Sequence, residues 1–223
     1  GNPILIGKQA GYYPHGNYNI AIGEQALYGN ASTTTAQQNV AIGRQAGFSA
    51  TSAASNVLMG IGAGYGITTA QKAVVIGSNA GYAMAGQGAS VLIGFEAGRL
   101  QDAGSGGSVA IGHQALYSGT QNYQDVAIGF NAGKKATGAS ANSVYIGSSA
   151  GPTSTGVVQN KLYIHNAESD TPLIYGEFDN QLLKINGGII KNYTEALYLY
   201  DAAGGVYANP AIVTPLGNFA LIK

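Results

Sequence analysis

The sequence predicts an all-β fold, a parallel β-roll or β-helix solenoid, and three observations predict it. A unit of the form Asn39-Val40-Ala41-Ile42-Gly43-Arg44-Gln45-Ala46-Gly47-Phe48 returns down most of the chain. With the glycine after the apolar triplet as marker, the copies fall at Gly7, Gly23, Gly43, Gly60, Gly77, Gly94, Gly112, Gly129 and Gly147, in steps of 16, 20, 17, 17, 17, 18, 17 and 18. The triplets are apolar and mostly β-branched, which suits a pleated strand. A period near 17 is too short for a strand, a helix and a return, so each copy is one coil of strand, turn and loop. Nine coils at the spacing of paired strands would stand about 40 Å tall.

The triplets run Ile4-Leu5-Ile6, Ile20-Ala21-Ile22, Val40-Ala41-Ile42, Val57-Leu58-Met59, Val74-Val75-Ile76, Val91-Leu92-Ile93, Val109-Ala110-Ile111, Val126-Ala127-Ile128 and Val144-Tyr145-Ile146. The outer two residues of each lie two apart and share a face; the middle one points to the other. No triplet carries a charge, so the strands read as buried on both faces. A thin solenoid has one inside. The second apolar face calls for another surface, most simply identical chains around a threefold axis.

After each glycine come two outward residues, mostly polar: Lys8-Gln9, Glu24-Gln25, Arg44-Gln45, Ser78-Asn79, Phe95-Glu96, His113-Gln114, Phe130-Asn131 and Ser148-Ser149. The fourth copy, Gly60-Ile61-Gly62, puts isoleucine and glycine there instead. Alanine follows in every copy, from Ala10 and Ala26 through Ala46, Ala63, Ala80, Ala97, Ala115 and Ala132 to Ala150, which marks a place where one more methyl would overpack. The next residue is glycine in seven copies and leucine in two, Leu27 and Leu116. Then come Tyr12, Tyr28, Phe48, Tyr65, Tyr82, Arg99, Tyr117, Lys134 and Pro152, whose six aromatics would stack from coil to coil. Before the strands sit Asn19, Asn39, Asn56, Ser90, Ser108, Asp125 and Ser143, residues that satisfy backbone groups at turns and can ladder between coils. Each coil is expected to hold a buried strand, a tight turn, a second short strand and a variable loop.

The array occupies residues 1–152 and stops near Gly151-Pro152; 153–161 reads as a linker, and 162–223 as a distal β-rich neck or tip that relies on intertwining, being small for a domain. Leu162-Tyr163-Ile164-His165-Asn166 looks like a tenth strand with histidine in the glycine place. Pro172–Phe178 and Gln181–Asn186 alternate as strands about an Asp179-Asn180 turn. Ala196–Tyr200 and Val206-Tyr207 flank a second candidate hairpin, with a short helix from Thr194 the competing reading, and Asn218–Lys223 reads as an edge strand. The chain opens inside a repeat, the pattern expected of a fragment or mature piece of a longer protein.

Composition narrows the function. Charged residues are 9%, ten basic against ten acidic, so there is no basic stripe for nucleic acid. The absence of cysteine removes disulfides and thiolate chemistry. No apolar run is long enough to span a membrane as a helix. His15, His113 and His165 lack partners at metal-binding spacing, and His113 falls at an outward place. Asp102 and Asp125 could approach each other in stacked coils as a glycosidase pair would, but both fall at loops or turns. Glu168-Ser169-Asp170 offers too few ligands for calcium. Gly60–Gly64 follows a strand but lacks the helix and the Lys-Ser/Thr of a nucleotide loop. No catalytic, cofactor or metal residue is assigned, and the chain reads as a binding or structural protein rather than an enzyme. Tyr193, Tyr198, Tyr200 and Tyr207 lie outside the repeat's aromatic column and are the candidate receptor contacts, since tyrosine joins an apolar body to a polar tip.

The Asn-Val-Ala-Ile-Gly-x-x-Ala-Gly unit resembles two related groups. One is the head of trimeric autotransporter adhesins, whose Ser-Val-Ala-Ile-Gly repeats form a left-handed parallel β-roll trimer. The other is bacteriophage and phage-tail-like fibres, in which such arrays lead into a segment like Leu162–Asn166 and Pro172–Phe178. Carrying both parts over roughly residues 3 to 190, the chain is more similar to the fibres. That resemblance implies a left-handed homotrimer in a virion tail fibre or at a cell surface. Its implied partners are other fibre proteins and a bacterial surface glycan or outer-membrane protein. The rivals are an adhesin head and a polysaccharide-degrading tailspike.

Overall fold

The computed structural model describes residues 1–13, 16–29, 34–86, 88–101, 106–119, 123–137 and 140–186, together with the backbone of two short strands further on. Nine three-residue strands fall on the nine triplets: β1 (Ile4–Ile6), β2 (Ile20–Ile22), β3 (Val40–Ile42), β4 (Val57–Met59), β5 (Val74–Ile76), β6 (Val91–Ile93), β7 (Val109–Ile111), β8 (Val126–Ile128) and β9 (Val144–Ile146). Each pairs in parallel with the next in unbroken register, Val40 to Val57 to Val74 to Val91, so one coil lies on another as a parallel β-solenoid of about nine turns. No helix occurs among the described residues.

β10 (Lys161–Ile164) continues the stack in parallel on β9, and β11 (Ile174–Glu177) and β12 (Leu182–Ile185) follow as antiparallel strands. The tenth-strand and hairpin expectations therefore match the structure. His165 can stand in the glycine place because no further parallel coil stacks beyond it. A separate unit from Gly188 contains β13 (Ala211–Val213) paired antiparallel with β14 (Phe219–Leu221). The proposed second hairpin and the helix from Thr194 lie outside the described residues.

One expectation needs correction. Among the described residues, those after each turn form no second strand; isolated parallel bridges such as Gln37 to Ala54 to Gln71 occur instead, two residues ahead of Asn39, Asn56 and Ala73. The turn consumes the chain there, because residues such as Gln45, Asn79 and Glu96 adopt left-handed φ of 54–58° and cannot continue a strand. Within one chain the strand is buried on one face only, as the one lumen of a thin solenoid implies. The middle residue is enclosed, whereas the flanking pair is half-buried or exposed. A coil has one lumen, and only the middle side chain reaches it.

The lumen is filled by complementary choices. Where the strand's middle residue is large, as in Leu58, Val75, Leu92 and Tyr145, the residue after the alanine is glycine. Where it is alanine in coils two and seven, that residue is Leu27 or Leu116 and the leucine fills the space. Coils three and eight have small residues at both places and are filled by their neighbours. A Cβ on Gly47 would lie 2.8 Å from Leu58 Cδ1 and 2.9 Å from Leu27 Cδ2, and one on Gly133 would meet Leu116 and Tyr145 at 2.8 and 2.9 Å.

The alanine column is buried from Ala26 to Ala150. Ala46→Leu or Ala80→Leu should cost about 2–3 kcal/mol through overpacking and reduce the yield of assembled protein. Denaturant midpoints and sedimentation check this; unchanged values would show that the column has room.

Side-chain ladders join the coils laterally. Asn39 donates its backbone N–H to Asn19 Oδ1 at 2.9 Å and its amide to the Ala53 carbonyl at 2.8 Å. Asn56 repeats both bonds one coil on, with Asn39 Oδ1 and the Ala70 carbonyl. The aromatic column stacks as expected: Tyr12, Tyr28, Phe48, Tyr65 and Tyr82 have centroids 4.8–5.1 Å apart. Arg99 and Lys134 extend it by lying against tyrosine rings, Arg99 between Tyr82 and Tyr117.

Candidate functional site

Three surface features follow from the coil geometry. The first is the outer face of the sheet. Because the middle residue turns inward, Val and Ile at the flanking places turn outward in every coil. They form two apolar columns, Val40-Val57-Val74-Val91-Val109-Val126-Val144 and Ile22-Ile42-Met59-Ile76-Ile93-Ile111-Ile128-Ile146. Met59, Ile111, Ile128 and Ile146 are exposed and their neighbours half-buried. An uninterrupted apolar face of this kind is larger than the scattered apolar residues ordinary on a surface left to water.

The second is the column immediately after the glycines. Phe95, His113 and Phe130 are exposed and form a ladder of near-parallel rings, with centroids 5.1 and 4.8 Å apart. His113 thus stands outward, as its place in the repeat implies, but as the middle ring of a stack. Reading that column down the coils, rather than each pair along the chain, is the signal that finds it. Ile61, half exposed, belongs to the same column in the fourth copy. Gly62 beside it keeps the left-handed turn (φ +64°) without a side chain. The polar column alongside is cross-linked: Gln25 donates to Gln9 and Gln45 to Gln25 at 3.1 and 3.0 Å, and Gln114 donates to Glu96 at 2.7 Å.

The third is an open cavity of about 280 Å³ where the solenoid meets the hairpin, lined by Ile146, Ile164, Leu173, His165 and Asn166. It continues the apolar outer face. His165 Nδ1 accepts the Leu173 N–H at 3.4 Å and so helps place the hairpin.

Two of the acids singled out in the sequence, Glu168 and Asp170, are already engaged. Glu168 pairs with Lys135 at 2.5 Å, and Asp170 accepts both the Thr153 N–H and its hydroxyl, which holds the Asp170 carboxyl below its usual range. Glu177 is likewise held low, first by Asn180, then by the Tyr175 hydroxyl. Among the described residues no three histidine or acidic side chains gather as a metal site, and no helix is long and apolar enough to cross a membrane.

Asp125 occupies its place in the ladder before the strands, where its Oδ1 accepts the Ser143 N–H. It is fully buried just before β8, and burial raises its carboxyl to about 7 against the pull of the Ser143 N–H. Tyr145 is buried above it, and that burial together with the Asp125 charge pushes its hydroxyl up. Asp102, His15 and the candidate receptor residues Tyr193, Tyr198, Tyr200 and Tyr207 lie outside the described residues.

No family model, no curated protein and no solved structure matches the chain.

Proposed function

We propose that the chain is a segment of a homotrimeric extracellular fibre, a left-handed β-roll shaft of the phage-tail kind. Its distal part meets a bacterial surface glycan or outer-membrane protein. The observation that carries this reading is the outer sheet face: paired Val and Ile side chains in successive coils, half-exposed in one chain, with no charge among them. Such a face is costly to leave wet. Three copies turned inward would cover it in every coil, leaving the polar ladders outside. The in-register hydrogen bonds make the shaft stiff, and stiffness lets three weak contacts act together, so that linkage multiplies their strength.

Light scattering on the full chain should report three copies per particle. Ile76→Lys combined with Ile93→Lys, which puts six like charges at the centre of such a trimer, should yield monomers. Array binding to bacterial surface glycans should fall with the loss of the trimer. A monodisperse monomer for the unaltered chain in dilute buffer overturns the proposal. Shortened polysaccharide after incubation would point instead to a degrading tailspike.

A further inference from the structure

The ladder before the strands has one acidic member, Asp125. At Asn39 and Asn56 three bonds recur. The side-chain oxygen accepts the backbone N–H of the next ladder residue, at 3.1 Å to Asn56 and 2.9 Å to Ala73. The amide nitrogen donates to the carbonyl three residues before that next member, Ala53 or Ala70. The same carbonyl also accepts a backbone N–H from the coil below, that of Gln37 or Ala54 at 3.1 Å.

Asp125 repeats this arrangement with one exception. Its Oδ1 accepts the Ser143 N–H at 2.8 Å. The carbonyl in the corresponding place is that of Ser140, and it accepts the Tyr123 N–H at 3.1 Å, as its counterparts do. Only the side-chain donation is missing: Oδ2 is buried and has no partner. An ionised carboxylate has nothing to donate. It would set a lone pair where the asparagines put an N–H, beside a carbonyl and out of reach of water.

We propose that Asp125 is a proton-operated latch: in the folded coil Oδ2 carries a hydrogen that it donates to the Ser140 carbonyl, and loss of that proton loosens coils seven to nine. Tyr145 is the titratable side chain facing Asp125 from β9, its own hydroxyl buried without a partner, and Tyr163 stacks on Tyr145 from β10 at 5.6 Å. Ser108 and Ser143, above and below in the ladder, are neutral. Burial and the Ser143 N–H govern the Asp125 carboxyl, with no cation among the described residues contributing.

The sign follows from linkage. The folded carboxyl binds its proton up to about pH 7, the unfolded one to its ordinary 3.8. The stability it contributes is therefore complete below about pH 4, falls as pH rises, and is gone above about pH 7. Asp170 and Glu177, held low, act in the opposite direction in acid, so the test reads a difference between variants. Asp125→Asn supplies the missing donor permanently, as Asn39 and Asn56 do. Its melting temperature relative to the unaltered chain should be near zero shift at pH 4 and rise progressively to pH 8. Asp125→Ser, matching Ser108 and Ser143, guards against failure of the first variant, and its difference should grow the same way. The labelled Asp125 carboxyl carbon should titrate near neutrality in nuclear magnetic resonance. Differences that stay flat from pH 4 to 8, or a carboxyl that titrates in the ordinary aspartate range, overturn the latch.

Discussion

Gly77→Ala should prevent the array from folding, or destabilise it by at least about 4 kcal/mol. A Cβ on Gly77 would lie 2.2 Å from the Gly94 carbonyl oxygen and 2.6 Å from its carbon. Both atoms are backbone, and both are pinned: the Gly94 N–H bonds the Ile76 carbonyl at 2.8 Å, and the Gly77 N–H bonds that of Met59 at 2.7 Å. Nothing can give without separating two coils. The backbone adds strain of its own, since φ at Gly77 is +132°, a region that side chains rarely enter and that costs about 1–3 kcal/mol. The same contact repeats along the marker glycines from Gly7 to Gly147, each looking onto the next coil at 2.0–2.6 Å. The control is Gly156→Ala, which meets nothing within 4 Å and should change stability by less than about 0.5 kcal/mol. Urea unfolding followed by circular dichroism separates the two. A Gly77→Ala chain that melts like the Gly156→Ala chain would mean that the glycines mark the repeat for some reason other than close approach.

That contact also explains why so much of the fold was legible. Backbone rules repeat with the coil, so the glycines, the alanine column and the aromatic column each recur at fixed places, and the nine strands fall on the nine triplets. What was not legible belongs to side chains acting between coils. Phe95, His113 and Phe130 are separated in sequence by 18 and 17 residues and become a ladder only when the coils are superposed. Asp125 reads as a turn residue along the chain; its burial depends on the coil beyond it, where Ser143 and Tyr145 close over it. The inward direction of the middle residue was likewise hidden, because Ala, Leu and Val are apolar whichever way they face.

Leu116→Gly should cost about 3–4 kcal/mol, and Ala110→Leu added to it should recover most of the loss. Seven coils place glycine after the alanine, and the two leucine exceptions are also coils whose strand centre is alanine: Ala21 with Leu27, and Ala110 with Leu116. Both leucines are fully buried and both pay for their place in backbone strain, at φ of 45° and 49°. Removing Leu116 relieves that strain, worth about 1–2 kcal/mol. It opens a larger cavity than the about 2–5 kcal/mol typical of leucine-to-alanine changes, because Leu116 also packs over Gly133. The cavity prevails. The double variant gives coil seven the arrangement found in coil six, where Leu92 stands over Gly98 with 2.9 Å between Leu92 Cδ2 and the place of a glycine Cβ. Strong coupling between the two substitutions, measured as a double-mutant cycle in denaturant, is the expected outcome. Simple additivity would show that the lumen tolerates its side chains one by one, and that the pairing of small strand residues with leucine is incidental.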